Sequence, residues 1–290
     1  MRTLKRFGAL LLTGALMLSA TACGSTTGSS SDGKMSAQER VAAALEHMKE
    51  IKSVEVRMDM DMAMKVSQDK ESHDFTMKTT GVTSLIQEPM KAKMDMTIDM
   101  GELGKQETQT YMQQQDGKYM MYSNVGGTWT SYELPENLLD QYDAQKSMEL
   151  YLKGFENAKE SGTEEINGKQ ATKIEGEISG DAMKEMINAT GVLQSLGSIA
   201  GSDAESLEKM FSDMGSLKLT LWINDDNELV KVEEDLKDMI TKMIENATPQ
   251  EMEGMKIEIS KAMMTGTYDK INSVENFELP KEAESATPLK

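Results

Sequence analysis

From Val54 to Val66 the chain alternates without a break. Val54, Val56, Met58, Met60, Met62, Met64 and Val66 take the even positions, and Glu55, Arg57, Asp59, Asp61, Ala63 and Lys65 the odd ones. An extended strand sends successive side chains to opposite faces, so this order makes one apolar and one polar face. A helix of period 3.6 would scatter the same methionines round its whole circumference. A second copy follows at Ala92, Met94, Met96, Ile98 and Met100, with Lys93, Asp95, Thr97 and Asp99 between them. Long antiparallel strands with a methionine-lined face are therefore the theme of the fold.

The neighbouring segments extend it. Ser36 and Glu39 make a capping box for a helix over Ser36–Lys52, whose stripe Val41, Ala44, Leu45, Met48 and Ile51 is expected to lie on the sheet that starts at Val54. Strands are predicted at 53–68, 74–87, 91–100, 105–115, 118–123 and 128–133, with a hairpin turn at Asp116-Gly117 and breaks at Glu88-Pro89 and Gly126-Gly127. Helical spacing is read over Pro135–Lys159, a hairpin over Glu164–Ser179 turning at Asn167-Gly168, and a helical insert over Gly180–Met214. Leu217–Ile223 and Leu229–Lys237 form a further hairpin with Leu217, Leu219, Leu221 and Ile223 inward, and Met255–Tyr268 is the last strand. Lys281–Lys290 offers no apolar face and reads as a disordered tail. A run of hairpins with few helices gives an α+β class and a meander, with residues 36–280 as one domain.

Charge removes one class of function. The chain carries 49 acids against 31 bases, a net of -18, and three of those bases stand in residues 1–22. Nucleic-acid binding needs a basic face, so it is excluded. Aromatic residues are only 5% of the chain while methionines number 27, which favours a soft, adaptable core.

Arg2, Lys5 and Arg6 precede an apolar run from Phe7 to Leu18, too short to span a bilayer comfortably. Ala20-Thr21-Ala22-Cys23-Gly24 then resembles a bacterial lipobox, in which the cysteine sulfur receives a diacylglyceryl group before cleavage, although Ala20 stands where Leu is usual. Residues 1–22 are thus expected to be a lipoprotein signal peptide and 23–35 a lipid-anchored tether. Cys23 is the sole cysteine, so no disulfide forms within the chain. The Gly/Ser/Thr-rich residues 24–34 span about 18 Å root-mean-square. The folded part would then sit at the extracytoplasmic face of the cell membrane.

Leu219-Thr220-Leu221-Trp222-Ile223, an Asn/Asp turn, and Leu229-Val230-Lys231-Val232 resemble a strand pair of LolA-like and LppX/LprG-like lipoprotein folds, with Asn224 where an acid is usual. The chain is similar as well to uncharacterised Gram-positive lipoproteins of that architecture. The resemblance, over about residues 36–280, implies a strongly curved antiparallel sheet, an incomplete barrel, with helices on its concave side. It also implies carriage of lipids or lipid-modified proteins between sheet and helices. No ligand-contact residue carries over.

The methionine face is open to several readings. Met58, Met60, Met62, Met64, Met94, Met96 and Met100 either fill a core or line a groove that takes an acyl chain or another apolar partner. Soft thioethers also select copper(I), yet only His47 and His73 are present to complete such a site. Asn224–Glu228 lacks the glycine and distal glutamate of a calcium loop and reads as a turn. No nucleophile elbow, zinc-binding helix or phosphate loop occurs, so an enzyme, a metal and a cofactor are not expected. The expectation is a membrane-anchored carrier of a hydrophobic ligand, with a cell-envelope interaction protein of closed core as the alternative. Cys23→Ser should release the protein from membranes or leave it unprocessed. Fractionation with intact-mass measurement checks this, and a membrane-bound variant of mature size would refute the lipobox.

Overall fold

Residues 53–68 form one unbroken strand, β1 (Ser53–Gln68), along the alternation. The computed structural model describes residues 35–68, 71–134, 152, 154–190, 215–246 and 255–289. Helix α1 (Ala37–Met48) precedes β1, and β2 (Glu71–Gln87), β3 (Met90–Asp99), β4 (Lys105–Gln115), β5 (Lys118–Val125) and β6 (Thr128–Leu134) follow it. Then come β7 (Phe155–Ile166), β8 (Lys169–Ile178), α2 (Gly180–Thr190), β9 (Leu217–Asn224), β10 (Leu229–Asp235), α3 (Lys237–Asn246), β11 (Met255–Asp269) and β12 (Thr287–Pro288). Twelve strands share one sheet in the order β12-β6-β5-β4-β3-β2-β1-β11-β10-β9-β8-β7. Its ladders are antiparallel except that of β12 on β6. β7 and β12 are opposite edges that do not pair, so the curved sheet is an unclosed barrel of α+β class.

Residues directly opposite one another share a face, so the ladders can be followed as rows. Met60 stands between Met264 of β11 and Thr79 of β2, Met62 between Ala262 and Met77, and Met64 between Ile259 and Phe75. From Ala262 to Ile259 is three residues, not two, because the register shifts between Ala63 and Met64. There the Ser260 hydroxyl donates to the Ala63 carbonyl at 3.0 Å. The extra residue keeps Ile257 and Ile259 on the same side as Ala262 and Met264. That side carries the main core, where Ile174, Leu219, Leu221, Ile223 and Ala262 are almost wholly buried. The inward set read for β9 holds.

The capping box of α1 also holds. The Ser36 hydroxyl accepts the Glu39 N–H, and the Glu39 carboxylate accepts the Ser36 N–H at 2.7 Å. Those bonds hold the Glu39 carboxyl below its usual range. Helix α1 lies on the sheet that begins with β1, as expected: the stripe Val41, Ala44, Leu45 and Met48 joins the main core, and the strands α1 meets in that sheet are β7 and β9. Gln38 Nε2 donates to the Ala158 carbonyl at 3.5 Å, and Arg40 pairs with Glu160 at 3.4 Å. Ala37, Ala44 and Ala158 are all buried in this core, and such small residues let a helix backbone approach a strand closely.

The opposite face has a core of its own. Tyr111 and Tyr122 are buried there with Ala283, and Trp129, Phe277 and Leu279 pack around them. The cover is the segment after β11. The Asn272 N–H donates to the Ser53 carbonyl at 2.7 Å, Asn272 Oδ1 accepts the Lys52 N–H at 2.6 Å, and the chain then crosses to β6. The disordered tail expected at 281–290 is thus corrected as far as Leu289. A 3-10 turn at Lys281–Ser285 carries Ala283 into the tyrosine cluster, and the Leu289 N–H donates to the Ser131 carbonyl at 2.7 Å. One small side chain and a few backbone bonds fix a segment that has no apolar stripe.

Two further expectations change. Helical spacing over Pro135–Lys159 does not extend to its end: residues 135–151 lie outside the described residues, and Phe155 to Lys159 belong to β7. Phe155 lies over Gly176 of β8, where a Cβ would come within 2.5 Å of the ring and 2.7 Å of the Glu156 carbonyl oxygen. A strand is expected to run to Lys237, but it stops at Asp235, whose carboxylate accepts the Lys237 N–H at 3.1 Å and starts α3. Met239, Ile240, Met243 and Ile244 of α3 pack on the main core. The insert begins as α2, with Met183 buried, while Leu207, Met210 and Phe211 lie outside the described residues.

Gly176→Ala should lower stability by roughly 1–3 kcal/mol, the usual penalty for forcing a methyl into a filled site. Gly81→Ala should cost under about 1 kcal/mol, because a Cβ at Gly81 meets nothing nearer than 3.5 Å. Urea unfolding of the pair checks the ranking, and equal losses would contradict it. Ala283→Asp, a buried charge without a partner, should expose residues 277–289 to protease; unchanged resistance would show that Ala283 does not hold the segment.

Candidate functional site

The seven methionines singled out from sequence are all partly buried, and they do not form one patch. Met60, Met62 and Met64 pack against the main core, with Leu45 and Met48 of α1 in the same cluster. Met58 lies one row further along, with Gly266 on one side and Gly81 on the other, and Met96 stands beyond Gly81. A Cβ built on Gly81 would lie 3.9 Å from both Met58 Cε and Met96 Cβ, so the two methionines meet over the glycine. Gly81 and Gly266 flank Met58 without side chains of their own, and the Met58 side chain reaches over Gly81. Met94 falls in the next row, beside Thr83 and Thr110. Met100 has left the strand. Its N–H donates to the Gly104 carbonyl at 2.9 Å, in the 3-10 turn Gly101–Leu103.

The same face carries residues that the alternation of β1 and β3 does not reveal. Met77, Phe75, Met264 and Ile98 complete the rows of Met62, Met64 and Met60. β2 reads Phe75, Met77, Thr79, Gly81, Thr83 and Leu85 at its face positions, so its period is blurred by threonine and glycine. Tyr268 stands opposite Val56, and burial pushes its phenol above the ordinary range, with the Glu234 carboxylate adding to the effect.

The other face of β1–β5 holds a trough of about 880 Å³. Its walls are two cross-strand rows, Arg57-Val82-Asp95-Gln109-Asn124 and Asp59-Thr80-Thr97-Glu107, with Met58 and Met96 contributing between them. Its cations are neutralised locally. Arg57 pairs with Asp269 at 3.1 Å, and Lys105 pairs with Asp99 at 2.8 Å, which holds the Asp99 carboxyl low and the Lys105 ammonium high. Asp95 accepts from Gln109 at 2.7 Å and pairs with Lys93 at 2.9 Å. Asn124 Oδ1 is buried without a partner. This wall offers hydrogen bonds and suits a polar guest, whereas the methionine face suits an apolar one.

The histidines stand apart, His47 on α1 and His73 near the free end of β2, where its ring lies 6.4 Å from that of Phe75. The Asn224–Glu228 cluster is a turn built by one side chain. Asn224 Oδ1 accepts the N–H groups of Asp226 and Glu228 at 3.0 and 2.9 Å, and Lys169 bridges the two acids.

No curated protein sequence matches the chain. Among solved structures it is similar to the lipoprotein LppX of Mycobacterium tuberculosis, at 17% identity and a TM-score of 0.44, over 83% of this chain and 98% of that one. It is similar also to LprF of Mycobacterium bovis, at 15% identity and a TM-score of 0.45, over 84% and 96%. At such scores neither likeness bears on what this chain binds. A family model matches residues 36–288, from the capping box of α1 to β12, and the chain belongs to that family, DUF6612, a family of unknown function.

Proposed function

We propose that this is an extracytoplasmic protein held at the cell membrane by a diacylglyceryl group on Cys23. It binds a hydrophobic, lipid-like ligand on the methionine face of β1, β2, β3 and β11, and it is a carrier rather than an enzyme. One observation supports the reading above the rest. Met58 and Met96, on either side of Gly81, stay partly buried and, unlike Met60, Met62 and Met64, do not join the main core formed by the described residues, so this stretch of the apolar face is the part open to a guest. An acyl chain laid there would gain about 0.8 kcal/mol for each CH₂ it buries. Thioether side chains turn easily about three bonds and can follow chains of different shape.

A second reading is a non-catalytic interaction protein with a closed core. The packing of Met60, Met62 and Met64 against the main core, which Met239, Ile240, Met243 and Ile244 of α3 also join, favours it, because α3 lies on β11, the neighbour of β1.

The mature chain carrying Cys23→Ser, purified from cells without detergent, separates the two. The carrier reading expects co-purifying lipid by mass spectrometry. It also expects Met58→Glu to lose that lipid by about tenfold or more, the effect of some 1.4 kcal/mol, with unchanged circular dichroism. Protein that is free of lipid across several classes, and that takes none up from added fatty acid, would leave the closed-core reading.

A further inference from the structure

We propose that the trough on the polar face of β1–β5 is a binding site in its own right, and that it takes a short stretch of uncharged glycan. The proposal depends neither on the Cys23 anchor nor on a ligand at the methionine face.

The register bounds the trough on both long sides. One row back from Arg57 and Val82 stand Glu55, Ser84 and Lys93, and the C-terminal segment lies over them at Ser273 to Phe277. One row beyond Asp59 and Thr80 run the charges Asp61, Lys78, Asp99 and Lys105. These are held in ion pairs, Lys105 with Asp99 at 2.8 Å and Asp61 with Lys261 at 3.0 Å. From β1 to β5 is four strand spacings, about 19 Å. The space enclosed, about 880 Å³, is that of a small-molecule site drawn out along the rows.

The lining offers unused hydrogen bonds but no unused positive charge. Arg57 is engaged by Asp269 at 3.1 Å and Lys105 by Asp99, so an anionic guest has to break an ion pair to bind. The side chains of Asp59, Thr80, Thr97, Glu107 and Asn124 make no hydrogen bond or ion pair among the described residues. Asn124 decides the kind of guest. Its Oδ1 is buried without a donor, a state that folded proteins seldom accept. The terminal torsion of an asparagine is soft, so either end of the amide can turn to a guest, one end accepting and the other donating. A hydroxyl answers both.

Apolar surface is interleaved with these groups. Val82 is 36% exposed in the middle of its row, and Trp129, partly buried, follows Asn124 as its partner on β6. A pyranose ring carries the matching mixture, with hydroxyls round its edge and C–H groups on its faces. Adjacent strands lie about 4.8 Å apart, close to the length of one β-1,4-linked sugar. Successive sugars laid across the strands therefore meet successive side chains of a row. A compact cation finds no such match. The unpaired carboxylates of Asp59 and Glu107 stand three strand spacings apart, about 14 Å, and do not converge on one charge. An apolar guest would leave every one of these polar groups unbonded.

The mature chain carrying Cys23→Ser would be titrated by calorimetry with chitotetraose, cellotetraose and maltotetraose. Tetragalacturonate serves as the anionic probe and spermine as the cationic one. The expected result is binding of at least one uncharged tetrasaccharide. Asp59→Asn, Asn124→Ala and Val82→Asp should each weaken it by about tenfold or more, with circular dichroism and the urea midpoint unchanged. No heat from any of the uncharged sugars up to millimolar concentration would overturn the proposal. Binding that survives all the substitutions puts the glycan elsewhere and overturns the site. Spermine or tetragalacturonate that binds as tightly as the sugar overturns the ligand class. Lipid that co-purifies with the protein reads the opposite face of the sheet, and so answers the carrier question independently of these outcomes.

Discussion

The pairing of β1 along its whole length, with β2 on one side and β11 on the other, is the constraint on which the rest depends. Because side chains alternate with period two, a slip of one residue would turn Met58, Met60, Met62 and Met64 outward and bring Asp59, Asp61 and Lys65 into the core. Burying even one of those charges without a partner is far more costly than any hydrogen bond gained in the new register. The hydrophobic term therefore fixes the ladder. Where β11 carries one residue too many, at Ser260, it bulges instead of slipping, and the Ser260 hydroxyl takes the Ala63 carbonyl that the ladder leaves over.

A fixed register gives the sheet two chemically different faces, and each is covered by a different part of the chain. The apolar face receives α1 and α3 around Ile174, Leu219, Leu221 and Ala262. Among the described residues the polar face is covered by the C-terminal segment over Tyr111 and Tyr122, carries a small cluster of Trp222, Ala171 and Val230, and over β1–β5 forms an ion-paired trough. Both edges are guarded against further strand addition. β7 is broken by register shifts next to Asn157 and Gly162, both at positive φ, and is rich in glutamate, while β6 is capped by two residues of β12.

Much of this was legible in the sequence, for a local reason in each case. Alternation over Val54–Val66 gave β1 to the residue, Asp116-Gly117 and Asn167-Gly168 sit in their turns at positive φ, and Ser36 with Glu39 caps α1. What was missed depends on distant partners. That α1 would lie on the sheet was legible, but which strands it meets, β7 and β9, is set by residues more than a hundred positions away, Ala158 among them. Phe155 is a strand residue because Gly176 leaves room for its ring, and the spacing around Phe155 carries no trace of that. Ala283 anchors the C-terminal segment by fitting against two tyrosines, although an isolated alanine has no periodicity to read. Met100 followed the alternation yet lies beyond the end of β3, because the chain turns at Gly101 and Gly104, both at positive φ.

The methionine face shows where such reading ends. Parity tells which face a side chain joins, but how deeply it is buried depends on what lies above it, and that cover comes from elsewhere in the chain. Met58 and Met64 are equivalent in the alternation of β1, yet Met64 packs against the core while Met58 lies between two glycines and reaches over one toward Met96. Leucine or isoleucine in these positions would commit the face to a single packing. A thioether chain accepts either surrounding with little strain. The same residue type can thus be core at one end of a strand and open surface at the other.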